Sequence, residues 1–156
     1  MPGYGILPAD QGSGLLPWDW AMTRLRDSHD YWLATVWPDG RPHTMPVWGA
    51  WLDDQLWFSS GLLSRKIRNI AGNPSVSVST DDARNPVVLA GVAEIVTDHH
   101  LLPDFIDATN AKYGTSYDVG FLDPAKNATV RVRPAWVFGL AEDDFGGSPT
   151  RWAFAG

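Results

Sequence analysis

One stretch, Ser64-Arg65-Lys66-Ile67-Arg68-Asn69-Ile70, joins a helix start to a cluster of positive charge. It holds three of the 12 Lys and Arg residues of a chain whose formal net charge is -6. Ser64 is a favourable N-cap residue, and Ile67 and Ile70 lie on one apolar stripe. Cations oppose the dipole at a helix N-terminus by roughly 0.3–1 kcal/mol each, and a bound anion would offset this cost. Taken alone, the stretch fits a phosphate site and a solvated basic helix face about equally well.

The composition indicates one globular domain. A chain of 156 residues can bury about 68–70% of its unfolded surface, so it needs no disulfides, and it has no Cys. We expect residues 1–16 to form an N-terminal arm and residues 17–156 to form the domain. Residues 1–14 lack the basic and apolar regions of a signal peptide, and no apolar run reaches membrane-spanning length. A cytoplasmic location without a membrane span is therefore expected, and the acidic balance argues against nucleic-acid binding.

The chain lacks the motifs of an enzyme that supplies its own chemistry. Its four His residues show no metal-ligand spacing, so no metal is expected. There is no Walker loop and no Gly-x-Ser-x-Gly elbow, and no catalytic residue can be named. If the protein is an enzyme, a bound cofactor is expected to carry the reaction.

The apolar pattern predicts a mainly β protein of the α+β type. Helices are predicted at 19–28, from Ser64 onward and at 101–113. Strands are predicted at 31–37, 44–52, 55–59, 76–80, 86–97, 127–133 and 136–141, the last two forming a pair, with 149–154 a short strand or extended tail. Asp39-Gly40 indicates a hairpin turn, Gly91 a bulge or bend, and Pro46 an edge strand or a bulge. Six or seven antiparallel strands with two or three flanking helices suit a small barrel.

A series of short motifs resembles one known family. These are Tyr31-Trp32-Leu33-Ala34-Thr35, Asp39-Gly40-Arg41-Pro42-His43, Met45-Pro46-Val47-Trp48, Leu56-Trp57-Phe58-Ser59, Ser64-Arg65-Lys66-Ile67-Arg68-Asn69 and Asn73-Pro74-Ser75-Val76. Their order is similar to that of the pyridoxamine 5′-phosphate oxidase-like split β-barrel family. Within it, the chain resembles the flavin/deazaflavin oxidoreductase group, whose members bind FMN or coenzyme F420. The resemblance runs from about residue 16 to 96, and more loosely to 152.

The resemblance implies a homodimeric, FMN-binding type of split barrel with two cofactor sites at the subunit interface. It assigns the cofactor phosphate to Ser64, Arg65 and Lys66, with Arg68 and Asn69 beside them. It assigns the ring to Thr44, Met45, Pro46 and Val47, with Trp48 next to them on a side chain that can face the other side of the strand. Ser59 and Ser60 would reach the ribityl chain or phosphate, and Trp152 lies in a segment that closes the pocket in relatives.

The function implied by the resemblance is hydride transfer from F420 to an electron-poor small-molecule acceptor. An FMN-dependent oxidoreductase resembling pyridoxamine-phosphate oxidase is the first alternative, and a non-catalytic flavin-, deazaflavin- or haem-binding protein is the second. The Arg/His-rich substrate-phosphate motif of the oxidase itself is missing near the C-terminus, where Arg151-Trp152 is a weak counterpart. Pyridoxamine-phosphate oxidation is therefore not expected.

Overall fold

The computed structural model describes residues 8–154, which form an antiparallel sheet flanked by helices. The α-helices of this part are α1 (Trp18–Asp27), α2 (Arg65–Gly72) and α3 (Leu102–Tyr113), with short 3-10 helices at His99–Leu101, Val119–Leu122 and Glu142–Asp144. The strands are β1 (Asp30–Val36), β2 (Pro42–Trp48), β3 (Ala50–Leu52), β4 (Gln55–Gly61), β5 (Ser75–Thr80), β6 (Val87–Ile95), β7 (Asn127–Gly139) and β8 (Thr150–Ala153). No helix of this part is long and apolar enough to cross a membrane.

The strand order shows that the sheet is curled into a split barrel. Its strands follow the order β2-β1-β5-β6-β7-β4-β3, and β8 adds to β7. β2 and β3 stand at opposite ends of this order, yet Gly49 alone separates them along the chain. The sheet must therefore curve until its two ends meet at Gly49. This architecture confirms the predicted fold class, an antiparallel split barrel with flanking helices.

The chain is tightly held at Gly49. A Cβ atom at this position would lie 2.8 Å from the carbonyl oxygen of Trp57, which leaves room for glycine only. The Gly49 N–H donates to the Tyr113 hydroxyl (2.9 Å), and Lys112 Nζ donates to the Gly49 carbonyl (2.8 Å). Burial lowers the pKa of Lys112 to about 8. The end of α3 thus fastens the point where the barrel closes.

Residues 127–141 correct one prediction. Residues 127–139 form the single strand β7, because the chain passes Pro134 without turning, whereas two paired strands at 127–133 and 136–141 were predicted. β7 pairs with β6 along its length, and the register shifts between Ala90 and Gly91, as the bulge prediction required. The shift places Gly91 opposite Pro134, so the imino acid, which cannot donate a hydrogen bond, falls at the irregular point of the ladder.

Other local predictions are confirmed by the backbone. Gly40 has φ 88°, in the predicted β1–β2 turn. Asp53 and Asp54 have φ 48° and 57°, as in a two-residue hairpin loop between β3 and β4. The predicted strand 44–52 is divided at Gly49, and the C-terminal segment forms β8.

The described part of the N-terminal arm lies against the C-terminal segment. Arg151 N donates to Ala9 O (3.0 Å), and Gly14 N donates to Gly147 O (3.1 Å). Leu16 N donates to Thr150 Oγ1 (2.8 Å). Residues 8–16 therefore brace β8 and the loop before it. The boundary between arm and domain stays a prediction, and residues 1–7 lie outside the described residues.

Two apolar clusters fill the space around the sheet. The larger one occupies the barrel interior and includes Tyr31, Leu56, Phe58 and Val130, together with Ile67 and Ile70 of α2. The smaller one lies between α3 and the outer face of the sheet and consists of Ala50, Trp57, Leu102, Phe105, Ile106 and Leu122. The two clusters lie on opposite faces of β4: Leu56 and Phe58 belong to the larger one, and Trp57 belongs to the smaller one.

We expect Gly91→Ala to lower the free energy of unfolding by about 1–3 kcal/mol, the usual cost of forcing extra atoms into a packed site. A Cβ there would lie 2.2 Å from the Arg133 carbonyl oxygen. Gly72→Ala is the matched control, because its Cβ meets nothing within 4 Å at the end of α2. Urea unfolding followed by tryptophan fluorescence measures both, and equal stability of Gly91→Ala and the wild type would contradict the prediction.

Candidate functional site

The basic stretch forms the start of α2, as predicted. Ile67 and Ile70 are 3% exposed and face the core, which leaves the charged side chains of this helix at the surface. The Ser64 hydroxyl makes no capping bond to the helix backbone. The backbone N–H groups of the first turn therefore remain available to another acceptor. The helix dipole also favours a negative charge at this end of α2.

A small group of polar atoms surrounds the ammonium of Lys66. Lys66 Nζ donates to Ser60 Oγ (3.1 Å), and Ser60 Oγ lies 3.2 Å from Ser64 Oγ. Burial lowers the pKa of Lys66. Between residues 8 and 154, no carboxylate comes within 4.0 Å of this ammonium. We call Ser60, Ser64, Arg65 and Lys66 the basic cluster, and its partly buried charge is suited to an external anion.

Trp37 holds the arginine of the basic cluster in place. The guanidinium carbon of Arg65 lies 3.7 Å from the ring centroid of Trp37, and that of Arg41 lies 4.6 Å from it. Arg41 also pairs with Asp39 (2.8 Å). Cation–π contacts of this kind orient a guanidinium while leaving its N–H groups free to bind. The β1–β2 hairpin thus brings a further cation to the start of α2. Sequence reasoning missed Trp37 because no local pattern links residues 37 and 65.

Asn69 has a structural role that the sequence did not reveal. Its Nδ2 donates to Thr35 Oγ1 (3.0 Å), and both residues are buried. Thr35 Oγ1 in turn lies 3.4 Å from His43 Nδ1. Asn69 Oδ1 is buried without a hydrogen-bond partner among residues 8–154. This chain of contacts anchors α2 to β1 and to the beginning of β2.

The predicted ring-binding segment continues along β2 from that anchor. Thr44, Met45 and Pro46 are exposed, whereas Val47 is 7% exposed and packs into the core. β2 ends the strand order, which confirms the edge strand predicted from Pro46. Three residues of β2 therefore offer an accessible surface, and Val47 offers only its backbone.

Arg68 is placed differently from the cluster. Its Nη2 donates to the carbonyl oxygen of Leu63 (2.7 Å), so the guanidinium folds back over the loop that precedes α2. The side chain is exposed and contacts none of the hydroxyls of the basic cluster in this arrangement.

Three further predicted site residues do not meet the basic cluster within one chain. Trp48 stacks on Tyr113, with ring centroids 4.2 Å apart and an interplanar angle of 4°. Ser59 follows strand alternation and faces α3, on the opposite face of β4 from Ser60. Trp152 makes an edge contact with Trp18 at 5.4 Å. Within the described residues, none of the three makes a hydrogen bond to a member of the basic cluster.

The geometry of the site suits an anion. No group of three His, Asp or Glu side chains that could hold a metal ion occurs between residues 8 and 154. Two hydroxyls and a lysine meet beside the start of α2 instead, and Arg65 stands on the same first turn against Trp37, which together suit a phosphate. A split barrel with such a donor set on its rim is suited to bind a phosphorylated ligand.

Comparison with known proteins identifies the family. The family model for pyridoxamine 5′-phosphate oxidase matches residues 21–141, and the chain belongs to this family, which contains oxidoreductases and binds flavins. No protein of curated function matches the sequence significantly.

Solved structures agree with this assignment. A structure described as an F420 reductase is 30% identical, with a TM-score of 0.60, over 74% of this chain and 93% of that chain. A conserved hypothetical protein from Mycobacterium tuberculosis has a TM-score of 0.75 and 23% identity over 96% of this chain and 98% of its own. A heme binding protein from Mycobacterium smegmatis is 20% identical, with a TM-score of 0.65, over 85% of this chain and 56% of its own. The last two show the fold alone.

We expect Asn69→Ala to lower the free energy of unfolding by about 1–3 kcal/mol, because it removes a buried hydrogen bond and leaves Thr35 without its donor. Arg68→Ala on the same helix is the control, since its side chain is exposed and a change within about 0.5 kcal/mol is usual there. Urea denaturation measures both variants. Equal losses in the two would show that Asn69 does not anchor α2.

Proposed function

We propose that the protein is an oxidoreductase that binds the deazaflavin coenzyme F420 at a homodimer interface and reduces an electron-poor small molecule. The observation that carries this proposal is the partly buried ammonium of Lys66, which has hydroxyl partners and no carboxylate within 4.0 Å among the described residues. Similarity to an F420 reductase at 30% identity supports the choice of coenzyme.

The residues of the site fit a phosphorylated cofactor. Ser60, Ser64, Arg65 and Lys66 would hold the phosphate, with the free N–H groups of α2 completing the donor set. Asn69 anchors α2 to β1 through its hydrogen bond to Thr35. Arg68 would leave the Leu63 carbonyl to bind an additional anionic group. Thr44, Met45, Pro46 and the backbone of Val47 would line the ring. Trp48, Ser59 and Trp152 remain predicted contacts that depend on the second subunit.

The bound coenzyme would supply a hydride for the acceptor. The chain itself would bind and orient the coenzyme. The basic cluster would hold the phosphate end, and the exposed residues and backbone of the edge strand β2 would contact the ring. Excluding water from this surface requires a cover, because Thr44 and Pro46, on one face of β2, are exposed in the single chain. No side chain is assigned as the proton donor.

A second subunit is the proposed cover. Trp32 and Pro46 are register partners on the same face of β1 and β2, and Trp32 is 47% exposed. Burying such an apolar patch is favourable by about 25 cal/mol per Å². The homodimer and the cytoplasmic location both remain predictions of the sequence.

FMN is the rival cofactor, since it carries a phosphate that the basic cluster would bind equally well. The position of Arg41 favours F420. It lies on Trp37 beside Arg65 and is paired with Asp39, so it would exchange that carboxylate for one of the anionic oligoglutamate tail of F420, which FMN lacks. Haem binding has no comparable support, because the heme binding protein shares only the fold at 20% identity.

Titration of the cofactor-free protein with F420 and with FMN tests the proposal. We expect F420 to bind with micromolar affinity or better and more tightly than FMN. Deazaflavin fluorescence and the quenching of tryptophan fluorescence measure the binding. Tighter binding of FMN would establish the rival cofactor, and binding of neither would refute the proposed function.

Arg65→Ala and Lys66→Ala should each weaken F420 binding by about 1.5–3 kcal/mol, or roughly 10- to 150-fold, the scale of a charge-assisted hydrogen bond. Both side chains are half-buried at the rim, so neither variant should unfold. Arg26→Ala, an exposed arginine of α1, is the matched control for lost charge. Unchanged F420 affinity in both variants would show that the start of α2 is a solvated basic surface and does not bind the coenzyme.

A further inference from the structure

The end of α3 presents a lysine to the point where the barrel closes. Lys112 Nζ donates to the carbonyl oxygen of Gly49 (2.8 Å) and to the hydroxyl of Tyr31 (2.8 Å). Tyr31 is fully buried, and its hydroxyl donates in turn to the Leu25 carbonyl of α1. The lysine therefore ties α3 to β1 and to the single residue between β2 and β3. We call Gly49 with these bonds the barrel joint.

The acceptors around Lys112 match the donors of an uncharged amine. A protonated amine has three N–H donors, whereas a neutral one has two. Among residues 8–154, Nζ has two hydrogen-bond acceptors, which are Gly49 O and the Tyr31 hydroxyl. Within the same part of the chain, no carboxylate lies within 4.0 Å of it. The neutral amine is therefore fully bonded in the joint, and the third donor of the ammonium is not.

Opposing influences act on the charge of Lys112. Burial is the strongest, and it disfavours the ammonium. Nearby carboxylates favour the ammonium, as do the rings of Tyr31 and Tyr113, whose centroids lie 4.5 and 5.3 Å from Nζ. Burial prevails and lowers the pKa of Lys112 from 10.5 to about 8. The charged and titratable groups around it are Arg26 and Asp27 of α1, His29 beside Tyr113, Asp30 and Tyr31 of β1, Asp81 after β5, and Tyr113 of α3.

An open groove beside the joint gives the charged side chain a route to water. It lies between α1, β3 and α3 and has a volume of about 580 Å³. Lys112 lines this groove, together with Arg26, Asp27 and Trp51. An ammonium that leaves Gly49 for the groove regains its hydration, whereas a neutral amine loses two hydrogen bonds and gains little. The lysine thus has two positions whose balance depends on its proton.

We propose that Lys112 is a proton switch at the barrel joint: the neutral amine fastens Gly49, and protonation loosens the joint by drawing the side chain into the groove. The switch acts on the connection between β2 and β3. It also reaches the end of β2, because the Tyr113 hydroxyl accepts from the Gly49 N–H and its ring stacks on Trp48. The proposal does not rest on the proposed cofactor, since every group in the switch belongs to this chain.

The direction of the pH effect follows from the two states. The pKa of Lys112 is about 8 in the fastened joint and returns towards 10.5 when the side chain is hydrated. Between these values the loosened state binds more protons, so the joint tightens as the pH rises. Carboxylates keep their charge between pH 7 and 9. The pKa values of Tyr31 and Tyr113 are raised from 10.0, so the tyrosines destabilise the fold only at higher pH.

Hydrogen exchange of the Gly49 amide, followed by NMR on the full chain without cofactor, tests the switch. The protection factor, which corrects for the intrinsic exchange rate, should rise about 10-fold from pH 7 to pH 9. In Lys112→Met, which keeps the apolar stem and cannot titrate, it should change less than 2-fold. Lys126→Met removes a lysine whose side chain is 79% exposed, and this control should keep the wild-type pH dependence. A wild-type protection factor that does not rise, or a rise that persists in Lys112→Met, would overturn the proposal.

A direct titration decides the question even if Lys112→Met fails to fold. The chain has three lysines, Lys66, Lys112 and Lys126, and the ¹³C shift of each Cε reports its protonation. The signal that remains in both Lys66→Arg and Lys126→Arg belongs to Lys112. It should titrate with a midpoint near pH 8, and a midpoint above pH 10 would overturn the switch. Neither measurement needs a coenzyme, so failure of the proposed function and failure of the switch are distinguishable.

Discussion

The closure of the barrel at Gly49 is the constraint on which the rest of the structure depends. β2 and β3 lie at opposite ends of the sheet, and a single residue joins them. The backbone must pass Trp57 at a distance that excludes a Cβ, and Tyr113 and Lys112 bond its N–H and C=O. Burial disfavours the charged form of Lys112 and lowers its pKa to about 8. The hydrogen bond that holds the Gly49 carbonyl therefore comes from a partly desolvated ammonium. A sheet closed in this way has an interior face and an exterior face. The face from which a side chain projects determines which helix it meets.

The division explains why neighbours in sequence serve different sites. Ser60 faces the side where α2 starts and bonds Lys66, whereas Ser59 faces α3 and lines an apolar cavity. Strand alternation alone separates these two serines, and closure of the sheet determines what each one meets. The same reasoning applies to β2, where Val47 enters the core and Met45 and Pro46 stay accessible. The barrel thus carries a basic cluster at the start of α2 and, on the other face of β4, a largely apolar cavity beside α3.

Much of the local structure was predictable, because it depends on residues close in sequence. The helix at Ser64, the Asp39-Gly40 turn, the bulge at Gly91 and the edge strand at Pro46 all follow from local steric rules. The prediction of two paired strands over 127–141 was wrong for a related reason. The two strands were predicted on either side of Pro134, but the irregular pairing opposite Gly91 accommodates this proline within one strand.

The sequence by itself determined the fold class, the family and the identity of the basic cluster, since apolar spacing, turn residues and motif order are properties of the linear chain. Tertiary structure alone decided which side chains meet. Trp37 orients Arg65, Tyr113 stacks on Trp48 and Thr129 lies beside Ser59, although each pair is far apart in the chain. Such contacts arise when the sheet curls and α3 packs on its outer face, and no local propensity encodes them. The burial that lowers the pKa of Lys66 and Lys112 has the same origin.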